Sequence, residues 1–261
     1  MNNRIRGQVR EGRPVLGTFY ELGGIAAAEC LGIAGLDFMI VDTEHGPYDV
    51  ESALSAITAA EHRGCTPLVR VKDVSRASVL KMLDVGAKGL IVPDVQTVEE
   101  VEKLVEYAKY YPLGRRGFAP TLASGYGFDR EAGDVEAFFG LCNRETLLIP
   151  QCETLGALEH IEEIAGMDGV DGIFVGPYDL SVALGKPAQM DDPRLVRSIE
   201  RVLAACRAHG KISMIYAGDA AKTVGFFRQG FDCVACGMDS ILLIQAAKTL
   251  KADVEGLLKQ E

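Results

Sequence analysis

The 261-residue sequence predicts an α/β protein, a closed (β/α)8 barrel folded as a single domain. Three observations carry that expectation. Short apolar, β-rich runs alternate with segments of helical period along nearly the whole chain. The alternation completes eight strand–helix units. No Gly-x-Gly-x-x-Gly follows the first strand and there is no P-loop, so the sequence lacks the phosphate-binding fingerprints common in open doubly wound sheets. Strands joined through helices must pair in parallel, because each crossover has to cover the sheet, and eight such units suggest closure into a barrel.

In order, Val15–Leu22 reads as the first strand and Ile25–Ala34 as its helix. Asp37–Val41 and Val50–Arg63 form the second unit, Pro67–Val71 and Arg76–Val85 the third, and Gly89–Pro93 and Val98–Tyr110 the fourth. After the long stretch Tyr111–Thr146, which breaks the rhythm, Leu147–Cys152 and Leu155–Ala165 form the fifth. Gly172–Val175 is the sixth strand, with a helix near Pro193–His209; Lys211–Tyr216 and Ala220–Gln229 form the seventh unit; Asp232–Cys236 and Asp239–Lys259 the last. Long connections in compact domains are often functional, which marks Tyr111–Thr146 for attention. No linker divides the chain, so residues 1–261 are read as one domain.

The composition is that of a globular protein, 48% hydrophobic and 25% charged, with net charge −10. An acidic surface argues against nucleic-acid partners, which call for a basic footprint. The N-terminal MNNRIRGQVREGRPVLG has no apolar stretch of signal-peptide length, and no apolar run is long enough to span a bilayer, so a cytoplasmic protein without a membrane partner is expected. Seven scattered cysteines suit a reducing compartment. Cys233 and Cys236 form a CxxC, but Phe231–Cys236 is mostly apolar and no further Cys or His lies at zinc-ligand spacing; the pair reads as part of a buried strand.

In a barrel of this kind the chemistry sits where the strands end. Strand 2 leads into Asp42-Thr43-Glu44-His45-Gly46, strand 3 ends at Arg70, and strand 4 in Pro93-Asp94. Strand 5 ends in Gln151-Cys152-Glu153-Thr154, and strand 6 runs into Gly176-Pro177-Tyr178-Asp179-Leu180-Ser181. Strands 7 and 8 end in small or weakly polar residues, Ala217-Gly218 and Gly237. Glu153 and Asp179, from adjacent strands, form a plausible hard-cation site for magnesium or manganese; each taken singly also fits a helix-capping acid. His45, three residues after Asp42, suits a general base near neutral pH if the carboxylate raises its basicity. It could equally close a turn. His62, His160 and His209 fall on or at the ends of helices and read as surface residues. Arg70 ends an apolar strand and offers a fork for a carboxylate or enolate oxygen; the competing reading is a salt bridge to Asp42 or Glu44 that ties the rim together. Arg115 and Arg116, in a Gly/Pro-rich loop, are a rim candidate for an acidic substrate. Schiff-base chemistry needs a lysine inside the barrel; Lys72 lies just beyond strand 3, Lys211 at the wrong end of strand 7, and strand 6 has none.

The string Phe38-Met39-Ile40-Val41-Asp42-Thr43-Glu44-His45-Gly46-Pro47 resembles the signature of the HpcH/HpaI aldolases. So do Pro67-Leu68-Val69-Arg70-Val71, Leu83-Asp84-Val85-Gly86-Ala87, Gly114-Arg115-Arg116-Gly117, Gln151-Cys152-Glu153-Thr154 and Gly176-Pro177-Tyr178-Asp179-Leu180-Ser181. They occur in the family's order, and the resemblance runs from about Gly17 to Leu243. It implies a TIM barrel and a class II, divalent-metal-dependent pyruvate aldolase (Mg2+, Mn2+ or Co2+), similar to 4-hydroxy-2-oxoheptanedioate aldolases. It places the metal on Glu153 and Asp179, a His–Asp pair on His45 and Asp42, and enolate binding on Arg70. Gln151 falls beside the bound pyruvate. Asp84 matches an aspartate that in relatives reaches a neighbouring subunit's site, in homo-oligomers that are commonly hexamers with exchanged C-terminal helices. Tyr178, close to bound pyruvate, replaces a smaller residue of several relatives, and the Phe118–Phe128 loop departs from relatives that take dicarboxylate-derived substrates.

The reaction so implied is reversible cleavage of a 4-hydroxy-2-oxo acid to pyruvate and an aldehyde. Two other readings stand beside it: an acyl-CoA lyase of related enolate chemistry, and a non-catalytic metabolite-binding relative.

Overall fold

A computed structural model of the chain describes residues 3–259. Eight parallel strands close into a barrel in sequence order: β1 (Val15–Tyr20), β2 (Phe38–Asp42), β3 (Thr66–Arg70), β4 (Gly89–Val92), β5 (Leu147–Cys152), β6 (Gly172–Val175), β7 (Ile212–Ala217) and β8 (Cys233–Met238). The eight-strand expectation holds, with ends shifted by a residue or two.

Period-two alternation explains why the strands read as continuous apolar runs. In β2, Phe38 and Ile40 point into the barrel with Leu68, Ile91, Leu147, Ile149, Phe174 and Met214. Met39 and Val41 face outward and pack with the helices. Both faces are buried, so both must be apolar. The same alternation puts Cys233 inside the barrel and the neighbouring Val234 outside. Cys236, three residues on from Cys233, therefore projects to the opposite face, which removes any shared metal or redox role.

A short helix that the sequence did not suggest, α1 (Arg4–Arg10), closes the barrel floor. It carries few apolar residues, but two of them suffice: Ile5 is fully buried in the barrel interior and Val9 packs against it, one turn apart on one face. The surrounding helices are α2 (Ile25–Ile33), α3 (Val50–His62), α4 (Arg76–Asp84) and α5 (Val98–Ala108). Next come α6 (Val135–Glu145), α7 (Leu155–Glu159), α8 (Ile161–Gly166) and α9 (Pro177–Ala183), then α10 (Pro193–Ala208), α11 (Ala220–Gln229) and α12 (Asp239–Leu258). The helix expected over Leu155–Ala165 is broken at His160, which lies outside helical geometry. The short α9, with Pro177 at its start, follows β6 directly and carries two of the predicted site residues, Tyr178 and Asp179.

The long stretch after α5 holds two 3-10 turns and α6. It runs from the end of a helix to the start of a strand, which places it at the floor of the barrel and away from the strand ends. No helix among the described residues is long and apolar enough to cross a membrane.

Candidate active site

The polar groups at the mouth arise from the same alternation that fills the core. Asp42 continues the inward row Phe38–Ile40, Arg70 follows Leu68, Gln151 and then Glu153 follow Ile149, and Tyr216 follows Met214. Each strand is apolar where it is enclosed and polar where its inward row meets solvent. Register places Asp42 directly beside Arg70.

Arg70 Nε and Nη2 donate to Asp42 Oδ1 and Oδ2 at 2.9 and 2.6 Å. Asp42 is fully buried. Arg70 Nη1 lies 3.1 Å from Glu44 Oε2, off the direction of a hydrogen bond, so that oxygen keeps acceptor capacity. The Phe19 ring packs against the guanidinium, 4.8 Å from centroid to Cζ.

This corrects one expected pairing. The His45 imidazole is not hydrogen-bonded to the Asp42 carboxylate: it points to solvent, while Arg70 pairs with both Asp42 oxygens. Asp42 instead accepts the backbone N–H groups of Glu44 and His45 at 3.1 and 3.4 Å. It shapes the turn that presents His45 and anchors Arg70. The His45 side chain is 70% exposed, and its Nε2 lies 3.9 Å from Glu44 Oε2.

Glu153 is the other buried acid. Its Oε1 accepts the Asp94 backbone N–H at 2.8 Å, and its Oε2 accepts from Gln151 Nε2. Asp94 adopts a positive φ of 51° to make that contact, a conformation rare outside Gly, Asn and Asp. Burial pushes the Glu153 carboxyl up to about 7; the Asp94 hydrogen bond opposes this, and Asp179 and Glu44 add to it. Burial also raises Glu44, against Arg70 and His45. Asp179 lines one cavity with Glu44, His45, Asp94 and Glu153.

These groups fit a hard divalent cation. Among the described residues the mouth gathers the carboxylates of Asp42, Glu44, Asp94, Glu153 and Asp179 against the guanidinium of Arg70. Among the described residues no cationic side chain hydrogen-bonds to Glu153, and the buried Gln151 Oε1 has no partner. Among the described residues no three His, Cys, Asp or Glu side chains cluster as a metal cage, so two carboxylates would hold the ion and substrate oxygens and water would complete its shell, as suits magnesium or manganese.

Opposite the acids lies an aromatic wall that the last residues of strands 1, 7 and 8 did not disclose. Phe19, Phe174, Tyr178, Tyr216 and Met238 line a second, adjoining cavity of about 300 Å³ with His45, Arg70, Gln151 and Asp179. Tyr216 meets Phe19 and Tyr178 edge-on, at 5.9 and 5.8 Å between ring centroids. Following the inward row, instead of each strand's final residue, would have found Phe19 and Tyr216.

Two predicted groups lie elsewhere. Asp84 ends α4, a helix that runs from mouth to floor, so it lies at the far end of the barrel from its own chain's His45. Arg116 Nη2 donates to it at 2.9 Å. Arg115 and Arg116 are accordingly no part of this rim. Arg116 is buried over the Tyr110 ring and Arg115 is exposed.

Comparison with known proteins agrees with this geometry. Residues 16–246 match the family model described as HpcH/HpaI aldolase/citrate lyase. The chain is 31% identical over 252 residues to a 4-hydroxy-2-oxo-heptane-1,7-dioate aldolase of Salmonella typhimurium, covering 97% of this chain and 94% of that one. It is 31% identical over 255 residues to a hydroxypyruvate/pyruvate aldolase of Agrobacterium fabrum, with the same coverage. A crystal structure of an HpcH/HpaI aldolase/citrate lyase family protein from Burkholderia cenocepacia superposes with TM-score 0.89 at 29% identity, covering 97% of this chain and all of that one. The chain belongs to the HpcH/HpaI aldolase/citrate lyase family, and by that membership it is an enzyme of the carbon–carbon lyase class.

Proposed function

We propose that this family member is a divalent-metal-dependent aldolase that reversibly cleaves a 4-hydroxy-2-oxo acid to pyruvate and an aldehyde. One observation carries the reading: a mouth that sets the carboxylates of Asp42, Glu44, Asp94, Glu153 and Asp179 against the guanidinium of Arg70 repels an anionic oxo acid unless a cation is present, and Glu153 and Asp179, which face one cavity from adjacent strands, are acids without a bonded cation. A divalent cation held there would supply Lewis-acid polarisation of the oxo-acid oxygens.

The chain's own residues do the rest. Arg70, held by Asp42, directs its remaining N–H groups at the oxygen on which charge grows as the C3–C4 bond breaks. Gln151 lines the same cavity and orients the carboxylate end. His45, through a water, accepts the proton of the C4 hydroxyl. The C4–O bond becomes the aldehyde carbonyl, the C3–C4 electron pair passes to the enolate, and a proton returned to C3 gives pyruvate. Glu44, near both Arg70 and His45, stabilises the protonated imidazole.

The working protein in this proposal is a homo-oligomer. Asp84 at the floor and the exposed apolar residues of α12, such as Leu243, Ile244, Leu250 and Leu257, would then meet neighbouring copies.

The test needs no knowledge of the aldehyde. Pyruvate in deuterium oxide exchanges its C3 protons, followed by NMR, faster than in an enzyme-free control with the same metal if the enzyme forms the enolate. Exchange that requires magnesium, manganese or cobalt and is abolished by chelator supports the reading; a protein indifferent to pyruvate and metal contradicts it.

A further inference from the structure

A third cavity adjoins the site, and the reaction as described makes no use of it. It has a volume of about 200 Å³ and lies between the N-terminal half of α10 and the face of α11 that runs from Lys222 through Phe226 to Gln229, beside the loop that follows α9. Its body is apolar: Met190, Val196, Ile199 and Phe226. It shares Pro177, Tyr178 and Tyr216 with the catalytic cavity. The two tyrosine rings, 5.8 Å apart and 65° to one another, are thus the partition between the compartments. Pro177 begins α9 and Tyr178 is 44% exposed, so an outward turn of its ring would leave the core undisturbed.

The charges around this cavity are Asp191, Glu200 and Lys222. Two acids against one ammonium give a lining that is slightly negative and mainly apolar. Such a lining favours a neutral hydrocarbon or aromatic chain and disfavours one that ends in a carboxylate.

We propose that this cavity receives the aldehyde-derived tail of the substrate, admitted when the Tyr178 ring turns away from Tyr216, and that it selects 4-hydroxy-2-oxo acids whose C4 substituent is neutral and apolar over those ending in a carboxylate. The inference rests on the aldolase reading and names its substrate class. The oxo-acid end stays with Arg70, Gln151 and the acids; the tail lies along the aromatic wall and enters the space in front of Val196 and Ile199. The chain would then differ in acceptor from its relative named for a heptanedioate.

The experiment measures kcat/KM in the aldol direction with saturating pyruvate and manganese, for acetaldehyde, pentanal and succinic semialdehyde. Pentanal is expected to exceed succinic semialdehyde by roughly tenfold or more. Val196 is partly exposed on α10, so Val196→Trp fills the cavity at little cost to folding. It should lower kcat/KM for pentanal by roughly tenfold and leave acetaldehyde within about twofold, the scale expected when a few methylenes lose their pocket. Met190→Ala enlarges the same space and should raise heptanal relative to pentanal; it keeps the test decisive should the tryptophan variant fold poorly. Deuterium exchange at C3 of pyruvate, with no aldehyde present, is run on every variant. Loss of exchange in the unmodified protein would remove the aldolase reading itself. Normal exchange with pentanal and acetaldehyde equally affected, or equally unaffected, by Val196→Trp would overturn the tail pocket and leave the aldolase reading in place. A preference for succinic semialdehyde would overturn the assigned substrate class.

Discussion

At the floor of the barrel Asp171 lies between two cations. Lys109 Nζ donates to its Oδ2 at 2.7 Å and Arg6 pairs with its Oδ1. The same Oδ2 accepts the Leu148 N–H at the start of β5, and Lys109 also donates to the carbonyls of Thr146 and Asn143. Asp37 and Asp232 accept backbone N–H groups at the starts of β1 and β7 in the same manner. At the mouth, Glu153 is buried with no cation bonded to it and Glu44 keeps an oxygen without a hydrogen bond. One end spends its acids on closing strand ends, and the other holds them in reserve for what binds there. Charged groups at the floor stabilise the fold; at the mouth the acids held without a bonded cation, Glu153 above all, are a stability cost that a bound cation would offset. Substitutions at the two ends should therefore have opposite signatures.

The largest effect is expected on activity at the mouth. Glu153→Ala and Asp179→Ala should each lower kcat by on the order of 10³-fold, the scale of losing a cation's charge stabilisation, with part recovered at raised metal concentration and little change in melting temperature. His45→Ala should lower kcat by roughly 10²–10⁴-fold, as for a general base, with the fold intact. Arg70→Ala is a mixed case: it removes the group that meets the substrate and also strands Asp42, fully buried, without a counter-charge. It should lose activity and about 3–5 kcal/mol of stability together. Steady-state kinetics beside thermal denaturation separates the two losses.

The floor should show the reverse. Asp171→Ala leaves Lys109, fully buried, without its carboxylate and should cost about 3–5 kcal/mol of stability. Enough folded protein should remain to show kinetics within about twofold of the parent. Equal loss of kcat would break the division between the ends.

The smallest effect concerns pH. In metal-free protein the Glu153 carboxyl sits at about 7 against an ordinary 4.5. Between those values the folded state holds a proton that the unfolded state has released, so stability falls as pH rises through that window. Glu153→Gln removes the penalty. At pH 8, without metal, it should be more stable than the parent by about 1–3 kcal/mol, and the difference should vanish near pH 4. Urea denaturation at the two pH values measures it.

These contrasts also show what a sequence discloses. The barrel was legible because every strand is buried on both faces, as in Phe38-Met39-Ile40-Val41, and a continuous apolar run between helices admits few other folds. Asp42, Arg70, Glu153 and Asp179 were legible as a group because strand ends of a parallel barrel share one rim. What was hidden depends on direction and competition. Asp42 and His45 are three residues apart, but Arg70 captures both Asp42 oxygens from the next strand, and nothing in the spacing ranks the two partners. Phe19 and Tyr216 lie one residue short of their strand ends and look like core. Arg115-Arg116 reads as a binding loop until the direction of α5 places it at the floor. α1 escaped notice because two apolar residues, Ile5 and Val9, are enough to plug a barrel but too few to show a period.

The central claim is that Glu153, with Asp179, holds a divalent cation, and that His45 does not. Calorimetric titration of metal-free protein with manganese tests it directly. The parent and His45→Ala should each bind one ion per chain with closely similar affinity, and Glu153→Gln, which keeps shape and removes charge, should bind at least tenfold more weakly. Manganese bound by Glu153→Gln as tightly as by the parent, or lost from His45→Ala, would contradict the account.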